Sequence, residues 1–248
     1  MEELMNDQMN TPMSPEPAGF ASWADTWMDA LTKPNEQTYA IMASHPDAMT
    51  NGRAFTWVFL AGTIAAIITG VLQTILQLAG LTPQVPGLAE LIGSAPRSAW
   101  ASLGIALCTS PISGGIAVLF FAIYTGIIQW VAKMFGGTGT FSQLAYTMAS
   151  ISVPVSLVTS VLSPFGTLGV VGYCVSGISL LVGFYAIFLQ LTAVKAVNKF
   201  GWGQAAGSYF LPLILIGCVC GCVIFALAST LGLAVGDVFN QINQSLAP

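Results

Sequence analysis

Residues able to do chemistry are few in this 248-residue chain, and they lie far apart. The single histidine, His45, stands before Pro46, and no Asp or Glu falls inside a long apolar run. Catalysis within a membrane needs a nucleophile with a base, paired carboxylates or a metal. Cys218-x-Cys220-x-Cys222 is the one metal-like spacing. On a helix Cys218 and Cys222 share a face while Cys220 points elsewhere, and neither His nor carboxylate is close in sequence to complete a tetrahedral set. Gly217 and Gly221 run through the same stretch as Gly-x-x-x-Gly, so close helix packing explains these positions better, and Gly62, Ala66 and Gly70 repeat the device. Gly136-Gly137-Thr138-Gly139-Thr140 lacks the Gly-Lys-Ser/Thr ending of a phosphate loop, and Thr140 with Gln143 reads instead as a capping box. Asn243-Gln244-Ser245 matches a glycosylation acceptor, a motif common by chance. The expectation is a non-enzymatic protein with no catalytic residues, no cofactor and no metal.

The elements that would position any site are set by composition. Apolar residues make up 55% of the chain and charged residues only 6%, against about 25% charged in soluble domains. The mean hydropathy of +0.78 agrees. A net charge of −4 with no basic stripe argues against a nucleic-acid partner. Eight of the ten acids fall in the first 50 residues, which separates an acidic tail from an apolar domain near Arg53. Runs of 17–25 apolar residues suffice to cross a bilayer. Such runs cover Ala54–Leu78, Pro111–Ala132, Phe141–Ser163, Leu168–Leu191 and Ser208–Leu231, without the alternation of a β-barrel. The predicted fold is therefore all-α: a polytopic membrane protein with five transmembrane helices and an acidic N-terminal cytoplasmic tail. Ala99–Cys108 is apolar but short, and reads as interfacial, re-entrant, or an extension of the second span. Five spans put Lys33, Arg53, Lys133, Lys195 and Lys199 on one side and only Arg97 on the other. Lys and Arg gather in cytoplasmic loops, so the N-terminus is expected in the cytoplasm and the C-terminus outside. The cysteines fall in or beside apolar runs and read as small buried residues.

The tail has a pattern of its own. It lacks the basic start and short apolar core of a signal peptide. Residues 1–19, rich in Met, Pro and Asn, are expected to be disordered. Residues 20–53 form a cytoplasmic juxtamembrane region, 54–232 the membrane domain, and 233–248 a short C-terminal tail. Phe20, Trp23, Trp27 and Leu31 recur at helical spacing with Asp25 and Asp29 interleaved, Ser22 with Asp25 resembles a capping box, and Pro34 stops the helix. Two uses compete for the aromatic face: contact with a protein partner or the lipid headgroup region, and packing on the protein's own membrane domain. The third span is rich in hydroxyls (Ser150, Ser152, Ser156, Thr159, Ser160) around Pro154. These serve either interhelical hydrogen bonding or, in an alternative reading, a passive pathway for a small polar solute.

Two loops echo one another: Lys133 leads into Phe135-Gly-Gly-Thr-Gly-Thr-Phe141 before a span with Pro154, and Lys199 leads into Phe200-Gly-Trp-Gly-Gln204 before a span with Pro212. The echo suggests two similar helix-loop-helix units packed together. With Leu31-Thr-Lys-Pro34 ahead of the first span, these motifs resemble the Yip family of Ypt/Rab-interacting membrane proteins (Yip type one), its prokaryotic branch above all, over about residues 27–232. The motif positions are Phe135, Gly136, Gly137, Gly139, Phe141, Pro154, Phe200, Gly201, Trp202 and Gly203. The resemblance implies five spans and an adaptor that engages protein partners through its tail or membrane helices, or shapes the bilayer. Eukaryotic members bind lipidated small GTPases and carry an acidic Tyr-Gly-Pro motif in the tail. That motif is missing here, which argues against a small GTPase; the membrane expected is the bacterial cytoplasmic membrane, or an endomembrane in a eukaryotic host. An accessory subunit of a larger membrane complex is a further alternative.

Overall fold

A computed structural model describes residues 20–81, 98–215, 217–218 and 221–222. The expectations for residues 1–19, for Arg97, for Cys220, for Asn243 and for the C-terminal tail lie outside these residues. Seven helices are described: α1 (Phe20–Thr32), α2 (Glu36–Ser44), α3 (Gly52–Leu78), α4 (Ala99–Met134), α5 (Phe141–Leu162), α6 (Gly169–Asn198) and α7 from 202 to 215. A 3₁₀ turn, Pro46–Met49, links α2 to α3. Of these, α3 to α6 are long and apolar enough to cross a membrane. The described residues form helices and turns without strands, and the chain is a multi-pass membrane protein. The expected fifth span, Ser208–Leu231, is helical over 208–215, 217–218 and 221–222, and the rest of it lies outside the described residues.

The segment Ala99–Cys108 is the N-terminal part of one 36-residue helix that runs straight on through Pro111. Proline lacks the N–H that would bond the carbonyl four residues back. The Ser110 hydroxyl donates to that carbonyl, of Leu107, at 2.8 Å. A helix buried in lipid must satisfy its backbone internally, and here a neighbouring side chain does so.

Small residues let α3 and α4 approach closely. A Cβ built on Gly62 would lie 2.9 Å from Ala117 Cβ and 3.2 Å from Gly114 Cα, and one on Gly70 would lie 2.6 Å from Ala106 Cβ. Gly114 answers from the other side, where a Cβ would meet Phe59 O at 2.7 Å. By contrast, Cβ atoms built on Gly217 and Gly221 meet nothing within 4 Å among the described residues. Helix α5 is the most deeply embedded, with Leu144, Ala145, Ala149 and Ile151 fully buried. It packs on α3 and α6 and also touches α1 and α2.

The tail folds back as a helical hairpin. Asn35 caps α2 by accepting from Thr38 N–H at 2.7 Å. Ser22 lies inside α1 rather than at its cap, its carbonyl accepting from the Thr26 hydroxyl. Tyr39 of α2 is fully buried and donates to Ala30 O of α1 at 2.7 Å. Burial raises its phenol above the ordinary value of 10.0, with Tyr185 adding to the effect. The folded tail therefore holds this proton more tightly than a free tail. Tail docking is at full strength below pH 10 and weakens as pH rises past it. Tyr39→Phe should reduce that alkaline weakening and cost about 1–2 kcal/mol for the orphaned Ala30 carbonyl. Limited proteolysis of the tail across pH measures both effects.

Candidate functional site: the tail end of the bundle

The tail, the α4–α5 loop and the α6–α7 loop meet at one end of the bundle. Lys33, Arg53, Lys133, Lys195 and Lys199 all lie at that end. Among the described residues, no ionised side chain lies at the other. Lys195 binds Glu36 of α2 and sits 4.5 Å over the ring of Trp202, which stacks on Phe188 at 6.2 Å. Arg53 binds Asp47, and Lys33 pairs with Asp29 at 2.8 Å. Tyr185 of α6 donates to Leu31 O at 2.5 Å, so the tail is tied to α6 at two places.

The aromatic face of α1 is turned toward the bundle. Trp23 and Trp27 stand edge-on to Trp57 of α3, with ring centroids at 6.0 and 5.7 Å. Trp57 is 1% exposed and also packs on Tyr146 of α5 at 5.1 Å. Leu31 joins the same cluster, while the side chain of Phe20 is not among those described. Pairs of this kind add about 0.5–1.5 kcal/mol each beyond area burial. The opposite side of the tail exposes other apolar residues: Met28, Ile41 and Met49 are each more than half exposed.

Each residue of the α4–α5 loop has a geometric task. Gly136 has φ +86°, and its N–H bonds Lys133 O while Gly137 N–H bonds Ala132 O. This is the Schellman ending of α4, and the left-handed position suits glycine. A Cβ on Gly137 would meet Asn198 Oδ1 at 2.6 Å, and one on Gly139 would meet Val197 Cγ1 at 2.6 Å and Val197 O at 2.7 Å. Thr138 N–H donates to Asn198 O at 3.2 Å. Thr140 and Gln143 form the capping box of α5. The loop is thus pressed against the end of α6 and held by Asn198, which is 1% exposed. Gln129 Nε2 donates to Gly139 O at 2.7 Å and to Asn198 Oδ1 at 3.0 Å, and Asn198 Nδ2 donates back to Gln129 Oε1 at 3.3 Å.

The second loop is stitched to the first. Gln204 accepts from Gly201 N–H at 3.0 Å, as the third residue of a capped helix does, and donates to Phe135 O at 3.1 Å. Gly207 faces the Phe135 ring at 3.2 Å from a built Cβ, whereas Gly203 has open space around it. Phe141 opens α5 and packs against the core cluster, with Phe55 at 6.4 Å. Pro154 lies within α5 and is partly buried.

The hydroxyls of α5 turn mostly onto their own helix. Thr147, Ser150, Ser156, Thr159 and Ser160 donate to carbonyls three or four residues back. Ser152 reaches another helix, accepting from Gln190 Nε2 at 3.4 Å, and Tyr209 in turn donates to Gln190 Oε1 at 2.6 Å. Among the described residues no group of three or more His, Cys, Asp or Glu is placed to hold a metal. The described cysteines, Cys108, Cys174, Cys218 and Cys222, are free and exposed on the helix surfaces, not buried as their apolar setting suggested.

Asn198 is not among the residues that the sequence pattern singled out. The available signal was an amide directly after a buried, β-branched stretch and before a Lys-Phe-Gly loop, at the point where a second loop had to dock.

The architecture defines an integral membrane protein with several helical spans, joined at one end by tightly fitted glycine loops and a docked tail. The model of the Yip1 domain family matches residues 28–232, and the chain belongs to that family. No curated protein and no solved structure matches the chain.

Proposed function

We propose that this protein is a non-enzymatic membrane adaptor that gathers protein partners, or shapes the bilayer, from the end of the bundle that carries its tail. The supporting observation is the concentration there of the tail, both glycine loops and all five described cations, with Met28, Ile41 and Met49 exposed on the tail. By the positive-inside rule that end is cytoplasmic, with five spans in all, residues 20–53 as the juxtamembrane region and the C-terminus outside, in a bacterial cytoplasmic membrane. A facilitator pathway finds less support, because the α5 hydroxyls are spent mostly on their own carbonyls. In a cysteine-free background, single cysteines at Thr138 and Gln204 should label from the cytoplasmic side and one at Gln244 from outside. Labelling of Thr138 and Gln244 from the same side would refute five spans.

Trp23, Trp27 and Leu31 act in this proposal by fixing the tail, and Met28 and Ile41 present the contact surface. Interface residues that bury apolar area at the centre of a contact carry about 2 kcal/mol or more each. Ile41→Asp and Met28→Asp should therefore each weaken a co-purified partner at least tenfold with little change in melting temperature. Trp23→Ala with Trp27→Ala should lower the melting temperature first. Affinity purification in mild detergent with mass spectrometry reads both. Partner recovery untouched by either charged substitution would remove Met28 and Ile41 from the contact.

A further inference from the structure

An apolar cavity of about 440 Å³ lies between the docked tail and the bundle. Its walls are Trp23 and Trp27 of α1, Trp57, Leu60 and Ile64 of α3, and Leu157 of α5. We propose that it is a lipid site holding one acyl chain of a bilayer phospholipid beneath α1. The proposal stands apart from the adaptor reading and holds whether or not the tail recruits a protein.

Three observations carry it. First, the walls offer almost no polar atom, and a buried water needs two to four hydrogen-bond partners, so water is a poor occupant. A space this large left empty would strip its lining of dispersion contacts, so an apolar occupant is favoured. Second, the cavity continues the lipid-facing surface. Leu60 is 39% exposed and Ile64 44% exposed on a helix that crosses the membrane, so a chain can enter sideways from the bilayer. Third, its dimensions and ends match a chain in one leaflet. Trp57 and Ile64 are seven residues apart on α3, a rise of about 10 Å, against the ~15 Å that half of the hydrocarbon core provides. The end nearest the tail is framed by three tryptophans, the residues that sit at headgroup depth, and the deep end is aliphatic. The headgroup stays at the mouth, outside the apolar walls. The described acids and cations at this end nearly balance, with Asp29 paired to Lys33, so no strong local charge selects an anionic headgroup over a zwitterionic one.

The test uses the full chain in mild detergent with phosphatidylcholine that bears a photoactivatable diazirine in one acyl chain, and maps adducts by mass spectrometry. Adducts should concentrate on Leu60, Ile64, Leu157 and the α1 tryptophans. Leu180 and Phe184 of α6, which are 61% and 62% exposed, report ordinary boundary lipid. Adducts at the cavity should exceed those at α6 at least fivefold, saturate at one lipid per chain, and be competed by unlabelled phosphatidylcholine. Filling the cavity with Ile64→Trp should remove the cavity adducts and leave those at Leu180 unchanged. Competition on the unaltered protein decides the matter without any variant. Equal, non-saturating labelling of cavity and α6 residues would overturn the proposal. So would cavity labelling displaced by a free isoprenoid alcohol but not by phosphatidylcholine.

Discussion

Trp57→Ala should be among the most damaging single substitutions in the chain, lowering stability by about 3–5 kcal/mol. Trp57 belongs to the fully buried set and is the point where three parts of the fold meet: α1 through Trp23 and Trp27, α5 through Tyr146, and α3 itself. Truncation would open a void and leave three rings without their partner. The damage should be read in two ways. The melting temperature in detergent should fall, and the Thr32–Asn35 connection should become sensitive to protease as α1 lifts away. Trp57→Phe keeps a ring in place and should recover about half of the loss. A melting temperature within error of the unaltered protein would mean that the aromatic cluster does not hold the tail.

Asn198→Ala is the second large effect, at about 2–4 kcal/mol. It leaves the Gln129 amide, 5% exposed, with part of its hydrogen bonding unmet, and buried groups orphaned in this way cost about 1–3 kcal/mol each. The same joint gives a sharper contrast between two glycines, one in each loop. Gly139→Ala would push a methyl group into Val197 Cγ1 and the Val197 carbonyl at 2.6–2.7 Å, so backbone must move, at about 1–3 kcal/mol. Gly203→Ala meets open space within a helix and should be neutral or slightly stabilising. Thermal unfolding of the pair in one detergent decides it. Equal losses would show that the loop is not pressed against α6 as described.

How legible these features were depends on the physics behind each. The spans were readable because a lipid-facing helix must be apolar over its whole length, a signal that needs no partner. Their ends were less so. α6 runs to Asn198, beyond the expected limit at Leu191, because helical hydrogen bonding continues past the apolar stretch through Lys195 into the polar end. Pro111 looked like a boundary, since a proline usually costs a helix a hydrogen bond. Local repair by Ser110 depends on a side-chain rotamer that sequence does not display. The aromatic periodicity of α1 marked a packing face, but composition alone does not say against what. Trp57 belongs to the first span and Tyr146 to the third, and only the assembled bundle brings them beneath Trp23 and Trp27. The glycine loop was recognisable as a motif. Its purpose required Asn198, which lies some sixty residues further along the chain.

The tail leaves the ribosome before the spans it packs on, and two of its ties must wait for the last of the long helices. Glu36 waits for Lys195, 159 residues later, and Leu31 for Tyr185, 154 residues later. Until α6 has been inserted, the ties of Glu36 to Lys195 and of Leu31 to Tyr185 cannot form, and α1 and α2 have only part of their docking surface. A chain with a missing or inverted late span would therefore leave its tail only partly fastened, held by the α3 and α5 contacts alone.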